Sequence, residues 1–227
     1  MAVTLEGVTF GELTTIKEKY EEVGGRDERL VIVSGAIAGK SSVTQIEAAL
    51  DAILDAASEA DYSAELSLRP GRRLYVRRRK FQREISLGPL VGSFVLELEA
   101  SDPFEVSSAE TVVNWTIAAS GATKAATSAG NVEARPVIAV TAVGSLVNPM
   151  ISDGVNSILY EGVVENAKTL VIDSENTAVT LDGEDVTPYT QGEFPVIAPE
   201  GTTLTYTDGA SSSHTANATI TFRDRWW

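Results

Sequence analysis

The N-terminal fold is decided by the stretch RLVIVSGAIAGKSSVTQIEAALDAILDAASEA, residues 29–60. Residues 29–34 form a short β-branched apolar run closed by Gly35, which predicts a buried strand. From Val43 onward, apolar residues recur at steps of three and four while acidic residues take the opposite positions, so the spacing predicts an amphipathic helix over residues 43–59. Ser42, with Gln45 three residues later, predicts a capping box at the start of this helix.

Beyond Ala60 the sequence changes to the two-residue period of β-strands. In residues 94–99, leucines alternate with glutamates, which is typical of a strand with one buried and one solvent-facing side. Similar short runs fill the second half, at residues 138–142, 157–161, 170–173, 179–181, 204–206 and 216–222. Turn sequences such as Asp153-Gly154 and Asp182-Gly183 separate them, and no helical stripe intervenes. This arrangement predicts an antiparallel β-sandwich.

A domain boundary is predicted just after residue 105. Asp102-Pro103 interrupts strand pairing because proline lacks the backbone donor, and residues 107–110 are small and polar. We therefore predict a mainly β protein with one helix (α+β), with one domain over residues 1–105 and a second over residues 106–227. A chain of 227 residues with 43% hydrophobic content can supply a core for each.

Composition excludes several classes of function. The chain has no cysteine, so disulfides, thiolate catalysis and metal sites built on sulfur ligands are excluded. No apolar run is long enough to cross a bilayer and the first residues do not resemble a signal peptide, so we expect a soluble, uncleaved product without membrane insertion. The net charge of −14 argues against general affinity for nucleic acid.

Three motifs suggest chemistry, but each has a simpler interpretation. Residues 35–41, ending Gly39-Lys40-Ser41, resemble a phosphate-binding loop but have one residue too few between the glycines, which favours a plain capped turn over a nucleotide hydrolase using Lys40. The only histidine, His214, lies in a serine-rich loop and is interpreted as an exposed loop residue. The acidic residues of segment 173–185 lack the spacing of a calcium loop and are interpreted as turns on a solvated face. We expect no enzyme activity, cofactor or metal.

Basic residues are concentrated in one segment, residues 69–83, which holds 8 of the 18 lysines and arginines. The eight are Arg69, Arg72, Arg73, Arg77, Arg78, Arg79, Lys80 and Arg83. They surround an apolar run, so the segment is predicted to be a strand with a basic exposed face. Two interpretations stay open: an edge strand protected from aggregation by charge, or a surface that meets acidic groups on another copy of the chain. DNA contact is less favoured because of the opposing net charge.

Aromatic residues at the end of the chain provide a second interface candidate. Trp226 and Trp227 would leave a large apolar area in water, so we expect them to pack on their own domain or on a neighbouring subunit. The candidate residues for subunit contacts are Arg69, Arg73, Arg77, Arg79, Phe104, Trp226 and Trp227.

The order of these features resembles the distal tail proteins of long-tailed, non-contractile (siphovirus-type) bacteriophages. The strand, glycine-containing turn and helix of residues 29–59 are similar to the start of that family's N-terminal domain. Ser101-Asp102-Pro103-Phe104 resembles the exit from its last strand. The segment GNVEARPVI, residues 130–138, resembles the beginning of the family's galectin-like sandwich. Residues 170–173, 181–183 and 194–201 continue the pattern.

This resemblance implies a structural role at a phage tail tip. The N-terminal domain would form a ring, usually of six copies, that continues the tail tube and leaves a channel for DNA. The galectin-like domain would project outward and position host-binding components, with tail tube and tail-tip hub or fibre proteins as partners. The protein would be made in the host cytoplasm and reside in the virion. The alternative is a monomeric carbohydrate-binding module, suggested by the C-terminal sandwich and its aromatic residues, including Trp115.

Overall fold

The computed structural model describes residues 3–11, 14–23 and 26–227, which form two compact units. Unit 1 comprises residues 1–108 together with Trp227, and unit 2 comprises residues 109–226. The division therefore falls three residues after the predicted boundary, within the small polar run 107–110, and the final tryptophan groups with the N-terminal unit.

Within the described residues, unit 1 contains one α-helix and eight strands. These are β1 (Thr4–Leu5), β2 (Val8–Thr9), β3 (Thr15–Val23), β4 (Arg26–Ile37), α1 (Val43–Asp55), β5 (Ala64–Ser67), β6 (Arg72–Ser86), β7 (Val91–Ala100) and β8 (Glu105–Ser107). The strands are ordered β2-β1-β5-β6-β7-β4-β3, with every neighbouring pair antiparallel. The first part of β6 pairs with β5 and its second part with β7, so this long strand joins two halves of the sheet.

Helix α1 covers one face of the half-sheet β6-β7-β4-β3. Its buried residues are Ile46, Leu50 and Ile53, in the positions that the sequence spacing predicts. A side chain at Gly92 of β7 would collide with Ile46 and Leu50, which shows how closely the helix lies on the sheet. The core of unit 1 lies between this helix and the strands.

The helix ends at Asp55, four residues before the predicted end at residue 59. Arg78 of β6 explains the early stop, because its guanidinium donates to the carbonyl of Leu54 and its backbone N–H donates to the carbonyl of Ser58 at 2.7 Å. The Leu54 carbonyl lies in the last turn, where a helix leaves carbonyls unpaired, and Ser58 follows the end of the helix. A contact from a distant strand therefore replaces another helical turn.

Strand β4 continues through Gly35 to Ile37, although the sequence predicted that Gly35 would end it. An added Cβ at Gly35 would lie 2.9 Å from the Phe94 ring, so the missing side chain makes room for that aromatic residue. On β7, Leu96 and Leu98 are buried as predicted. Glu99 is also buried rather than solvent-facing, because it accepts hydrogen bonds from Tyr62 at 2.7 Å and Arg77 at 3.1 Å.

Unit 2 is a sandwich of antiparallel sheets. Its elements are β9 (Thr111–Ile117), β10 (Thr123–Ala126), β11 (Val137–Ala142), β12 (Leu146–Val147), β13 (Met150–Ser152), β14 (Ser157–Tyr160), β15 (Val163–Val164), β16 (Thr169–Asp173), β17 (Ala178–Leu181), β18 (Glu184–Asp185), η1 (Thr187–Tyr189), β19 (Thr190–Gly192), β20 (Thr202–Thr207), β21 (Ala216–Phe222) and β22 (Arg225–Trp226). A five-stranded sheet, β10-β20-β13-β14-β19, and a six-stranded sheet, β18-β17-β16-β11-β21-β9, supply one shared core. The mainly β fold, with a single α-helix among the described residues and a C-terminal sandwich, agrees with the prediction.

Candidate functional site

Seven of the eight residues of the basic segment lie on β6, which is a strand as the sequence predicted, and Arg69 lies just before it. Most of them pair with acidic side chains of unit 1. The pairs are Arg69 with Glu105, Arg73 with Glu65, Arg77 with Glu99, Arg78 with Glu59, Lys80 with Glu97, and Arg83 with Asp51. Much of the positive charge of this segment is therefore balanced within one chain. Fewer of its basic side chains are left to contact a neighbouring copy.

Arg79 differs from the other residues of this segment. The pairing of β6 with β7 shifts between Arg78 and Lys80, so Arg79 is the extra residue of a β-bulge. Its side chain is exposed and has no ion-pair partner within the part of the chain that the structure describes. Bulges re-aim side chains at sheet edges, and this one presents an uncompensated guanidinium to solvent.

A buried charge network lies beside the basic segment, and the sequence interpretation missed it. Arg29 has no solvent exposure and contacts Glu18, Glu105 at 3.0 Å and the carbonyl of Pro103 at 3.1 Å. Arg69 also contacts Glu105, whose side chain is 1% exposed. The alternation of side chains along a strand could have predicted this burial, because Arg29 lies on the same inward face of β4 as Val31 and Val33.

The aromatic candidates are distributed between the two units. In unit 1, Trp227 packs edge-on against Phe104 and Tyr20, with ring centroids 4.6 and 5.9 Å apart. Trp227 still keeps half of its surface exposed. In unit 2, the indole N–H of Trp226 donates to the carbonyl of Ala129 at 3.2 Å. Phe104 and Trp227 therefore form a part-exposed aromatic patch with Tyr20.

The half-sheet β6-β7-β4-β3 has two open strand edges. β3 ends the strand order and pairs only with β4 among the described strands. β6 is covered by β5 as far as Val76 and by the carbonyl of Ser58 at Arg78. From residue 79 to residue 86, no described strand pairs with that side of β6. The open edges therefore lie at opposite sides of the half-sheet β6-β7-β4-β3.

The turn that resembles a phosphate loop is occupied by its own capping bonds. Ser42 accepts from the backbone N–H of Gln45 at 3.3 Å, as predicted. The Gln45 side chain accepts from the backbone N–H of Ser41 rather than of Ser42, at 3.1 Å. One backbone donor of the loop, the Ser41 N–H, is therefore engaged. Lys40 lies on the rim of a groove of about 460 Å³ with an apolar floor formed by residues such as Phe10 and Phe94.

His214 is more constrained than an exposed loop residue. Its Nδ1 lies 2.6 Å from Asp208, whose side chain is fully buried and also accepts from the Tyr206 hydroxyl at 2.8 Å. Burial and this hydrogen bond raise the pKa of Tyr206 well above its ordinary value. The neighbouring serines, Ser212 and Ser213, bond to backbone groups. The network braces the loop between β20 and β21.

The acidic residues of segment 173–185 form turns, and the described residues contain no cluster suited to a metal ion. Asp173 accepts from the backbone N–H groups of Glu175 and Asn176, both at 3.0 Å. The hydrogen bond from Lys168 is the main cause that holds the pKa of Asp182 below its ordinary value. Trp115, which suggested sugar stacking, is 3% exposed and belongs to the core. No helix in the described ranges is long and apolar enough to span a membrane.

The chain is similar to known proteins both in part of its sequence and in its fold. Residues 129–226 match the model of the family described as siphovirus-type tail component, C-terminal domain. No curated protein sequence matches the chain significantly. The fold is similar to the crystal structure of the Dit (gp 19.1) protein of phage SPP1, described as a paradigm of the hub adsorption apparatus in Gram-positive-infecting phages. That match has a TM-score of 0.71 at 15% identity and covers 100% of this chain and 99% of the other. The resemblance to siphovirus-type distal tail proteins is thus confirmed: residues 129–226 match the C-terminal domain family of these tail components, and the whole chain has the Dit fold.

Proposed function

We propose that this chain is a structural distal tail protein that forms part of the adsorption apparatus of a siphovirus-type phage. The observation that carries the proposal is the match of fold over the full length of both chains, joined to the family match of residues 129–226. The protein acts by shape and assembly rather than by catalysis. It is made in the host cytoplasm and resides at the tail tip of the virion.

The N-terminal unit forms the ring. A strand edge with unpaired N–H and C=O groups favours pairing with another strand. The two open edges, β3 and residues 79–86 of β6, differ from each other, so contact between copies is head-to-tail. Head-to-tail contacts produce a closed ring when the rotation between copies closes. Six copies is the number that the resemblance to distal tail proteins implies.

The face of the half-sheet opposite α1 lines the channel for DNA. It carries exposed polar side chains, and its charges are mixed: Lys17 and Lys19 on β3, and Glu84 on β6. The chain's net charge of −14 permits an acidic channel, but exposed charges of both signs bring the local lining closer to neutral. Such a surface neither holds DNA strongly nor repels it, because counterion release needs a net positive field.

The C-terminal unit is a galectin-like sandwich that projects from the ring. It positions host-binding components, while the ring joins the tail tube protein to tail-tip hub or fibre proteins. Trp115, the aromatic residue that suggested direct sugar binding, does not support it, because its side chain is buried.

Light scattering and negative-stain imaging of the purified full chain test this proposal. We expect rings with a mass several times that of the 24.1 kDa chain, and six times for a hexamer. A strictly monomeric species at micromolar concentration, with no rings in the images, would overturn it. Glycan binding by that monomer would instead support a carbohydrate-binding module.

A further inference from the structure

We propose a specific joint between neighbouring copies: β3 of one copy pairs antiparallel with residues 81–86 of β6 in the next, with Lys17 opposite Glu84 and Glu18 opposite Arg83. The inference rests on the proposed ring and adds its register and contact residues. It is an addition of one strand edge to another, in which backbone hydrogen bonds supply affinity and side chains set the register.

Strand direction permits this joint without rearrangement. β6, β7, β4 and β3 alternate in direction, so β3 runs opposite to β6 within one copy. Copies related by rotation about an axis roughly along the strands keep that relation. β3 of one copy therefore meets β6 of the next as an antiparallel neighbour, which continues the sheet from subunit to subunit.

Side-chain parity restricts the registers. On β3, Ile16 lies opposite the buried Val33, so Ile16, Glu18 and Tyr20 point to the side of α1. On β6, Ile85 lies opposite Gly92, whose missing side chain faces Ile46 of α1, so Ile85, Arg83 and Phe81 point to that same side. A joint that keeps the helix side continuous must pair these two sets with each other. A shift by one residue would exchange the faces.

One register within this set is complementary along its whole length. Its pairs are Thr15 with Ser86, Ile16 with Ile85, Lys17 with Glu84, Glu18 with Arg83, Lys19 with Gln82, and Tyr20 with Phe81. It contains two opposite-charge pairs, one β-branched apolar pair and one aromatic pair, which are the combinations that stabilise antiparallel strands.

The two neighbouring registers of the same parity are poorer. A shift by two residues one way places Lys19 opposite Lys80 and Glu18 opposite Phe81. A shift the other way places Glu18 opposite Ile85, although Lys19 then gains Glu84. Like charges directly opposite each other destabilise a strand pair, and a charge opposite an apolar residue loses hydration without a partner.

The charges needed for the joint are available on a single copy. Lys17 and Glu84 are exposed, and neither has an ion-pair partner among the side chains that the structure describes, those of residues 3–11, 14–20 and 28–227. Glu18 and Arg83 already contact Arg29 and Asp51, so their pairing would join existing ion pairs rather than replace them. Tyr20, half exposed, and Phe81, part-buried on Phe94, would extend a row of rings.

Charge reversal tests the register in the full chain. Lys17→Glu and Glu84→Lys should each weaken subunit association about tenfold at low salt, and the double variant should restore it. Lys19→Glu is the matched control, because Lys19 lies on the same strand and face but opposite Gln82, and it should change association less than about threefold. Sedimentation velocity over a dilution series measures each effect.

Cysteine pairing provides a second measurement that does not depend on charge. The natural chain has no cysteine, so Lys17→Cys with Glu84→Cys places the only thiols at the joint. Oxidation should link copies into a ladder on a denaturing gel whose last band counts the subunits of the ring. The Lys19→Cys, Glu84→Cys control should link poorly, because its residues are two positions out of register.

The outcomes separate this inference from the proposed function. Wild-type protein that never assembles would refute the ring itself. Wild-type rings that withstand both charge reversals and do not cross-link through residues 17 and 84 would overturn the joint while leaving the ring intact. Efficient linking through residues 19 and 84, with rescue of Lys19→Glu by Glu84→Lys, would also overturn it, in favour of the register shifted by two residues.

Discussion

At the scale of single residues, Arg29 is a fully buried charged residue of unit 1. Its guanidinium is fully buried against Glu105 and Glu18, and removing one partner of a buried ion pair leaves an uncompensated charge. We predict that Arg29→Met lowers the free energy of unfolding of unit 1 by about 3 kcal/mol. Lys80→Met, which breaks a half-exposed pair with Glu97, should cost less than about 1 kcal/mol.

Urea titration of the full chain, followed by circular dichroism, measures both variants. An Arg29→Met chain as stable as the Lys80→Met chain would show that the buried network contributes no more than a surface pair.

We expect the stability of the sandwich to depend on pH through the carboxyl group of Asp153. Burial alone would raise the pKa of its carboxyl, but hydrogen bonds from the N–H groups of Val196, Asn156 and Val155 outweigh burial and hold the pKa below its ordinary value. A carboxyl with a lowered folded-state pKa contributes stability that is fully present above its unfolded pKa of about 3.9 and is lost as the pH falls toward the folded value.

We therefore predict that Asp153→Asn destabilises unit 2 by about 1 to 2 kcal/mol at pH 6, and that the difference from wild type shrinks as the pH falls below 4. Thermal unfolding at pH 6 and pH 3 measures it. Glu200→Gln, at an exposed turn position, is the control and should change stability by less than about 0.5 kcal/mol at either pH. A cost that stays constant with pH would show that the carboxylate charge is not what stabilises the turn.

At the scale of elements, the close approach of α1 to β7 limits what the sheet can accept. A Cβ at Gly92 would lie 2.4 Å from Ile46 and 3.2 Å from Leu50. We predict that Gly92→Ala costs about 2 kcal/mol through overpacking, whereas Gly88→Ala, in open space, costs little. Ile46→Ala removes the obstructing side chain, so the double variant should be less destabilised than the sum of the single variants. Additive costs in urea titrations would contradict this contact.

The limits of sequence interpretation are clearest in these elements. Spacing predicted the start and the buried face of α1, because both depend on neighbouring residues along the chain. It did not predict the end of α1, which Arg78 sets from β6, nor the passage of β4 through Gly35, which Phe94 sets from β7. Local patterns specify local structure, and these boundaries depend on contacts between distant segments.

The residues of the candidate interface could likewise be predicted only as far as local sequence patterns specify them. The basic segment was predicted as a strand, but ion pairing of Arg73 and Arg77 with acidic residues of the same unit could not be predicted without the strand order. The open edge of β6 and its counterpart β3 are properties of the sheet, since no residue pattern marks a strand as last in the order. Trp227 was predicted to pack and Phe104 was a candidate for subunit contacts, but the aromatic patch that they share could not be predicted without the fold.

At the scale of the whole molecule, we expect the proposed assembly to be separable from folding of the C-terminal sandwich. The two hydrophobic cores share no residue, and each unit buries its own apolar side chains. The open strand edges proposed to join copies both belong to unit 1. We therefore predict that a fragment of residues 109–226 folds cooperatively and stays monomeric at concentrations where the full chain forms rings. Multi-angle light scattering and thermal unfolding, with the full chain as control, measure both properties. Because charge pairs fix the proposed joint, rings of the full chain should also dissociate more readily as salt rises from about 0.05 to 0.5 M, while the fragment's mass stays constant. A fragment that assembles alone would place the ring-forming surface in the sandwich and contradict the assignment of assembly to the N-terminal unit.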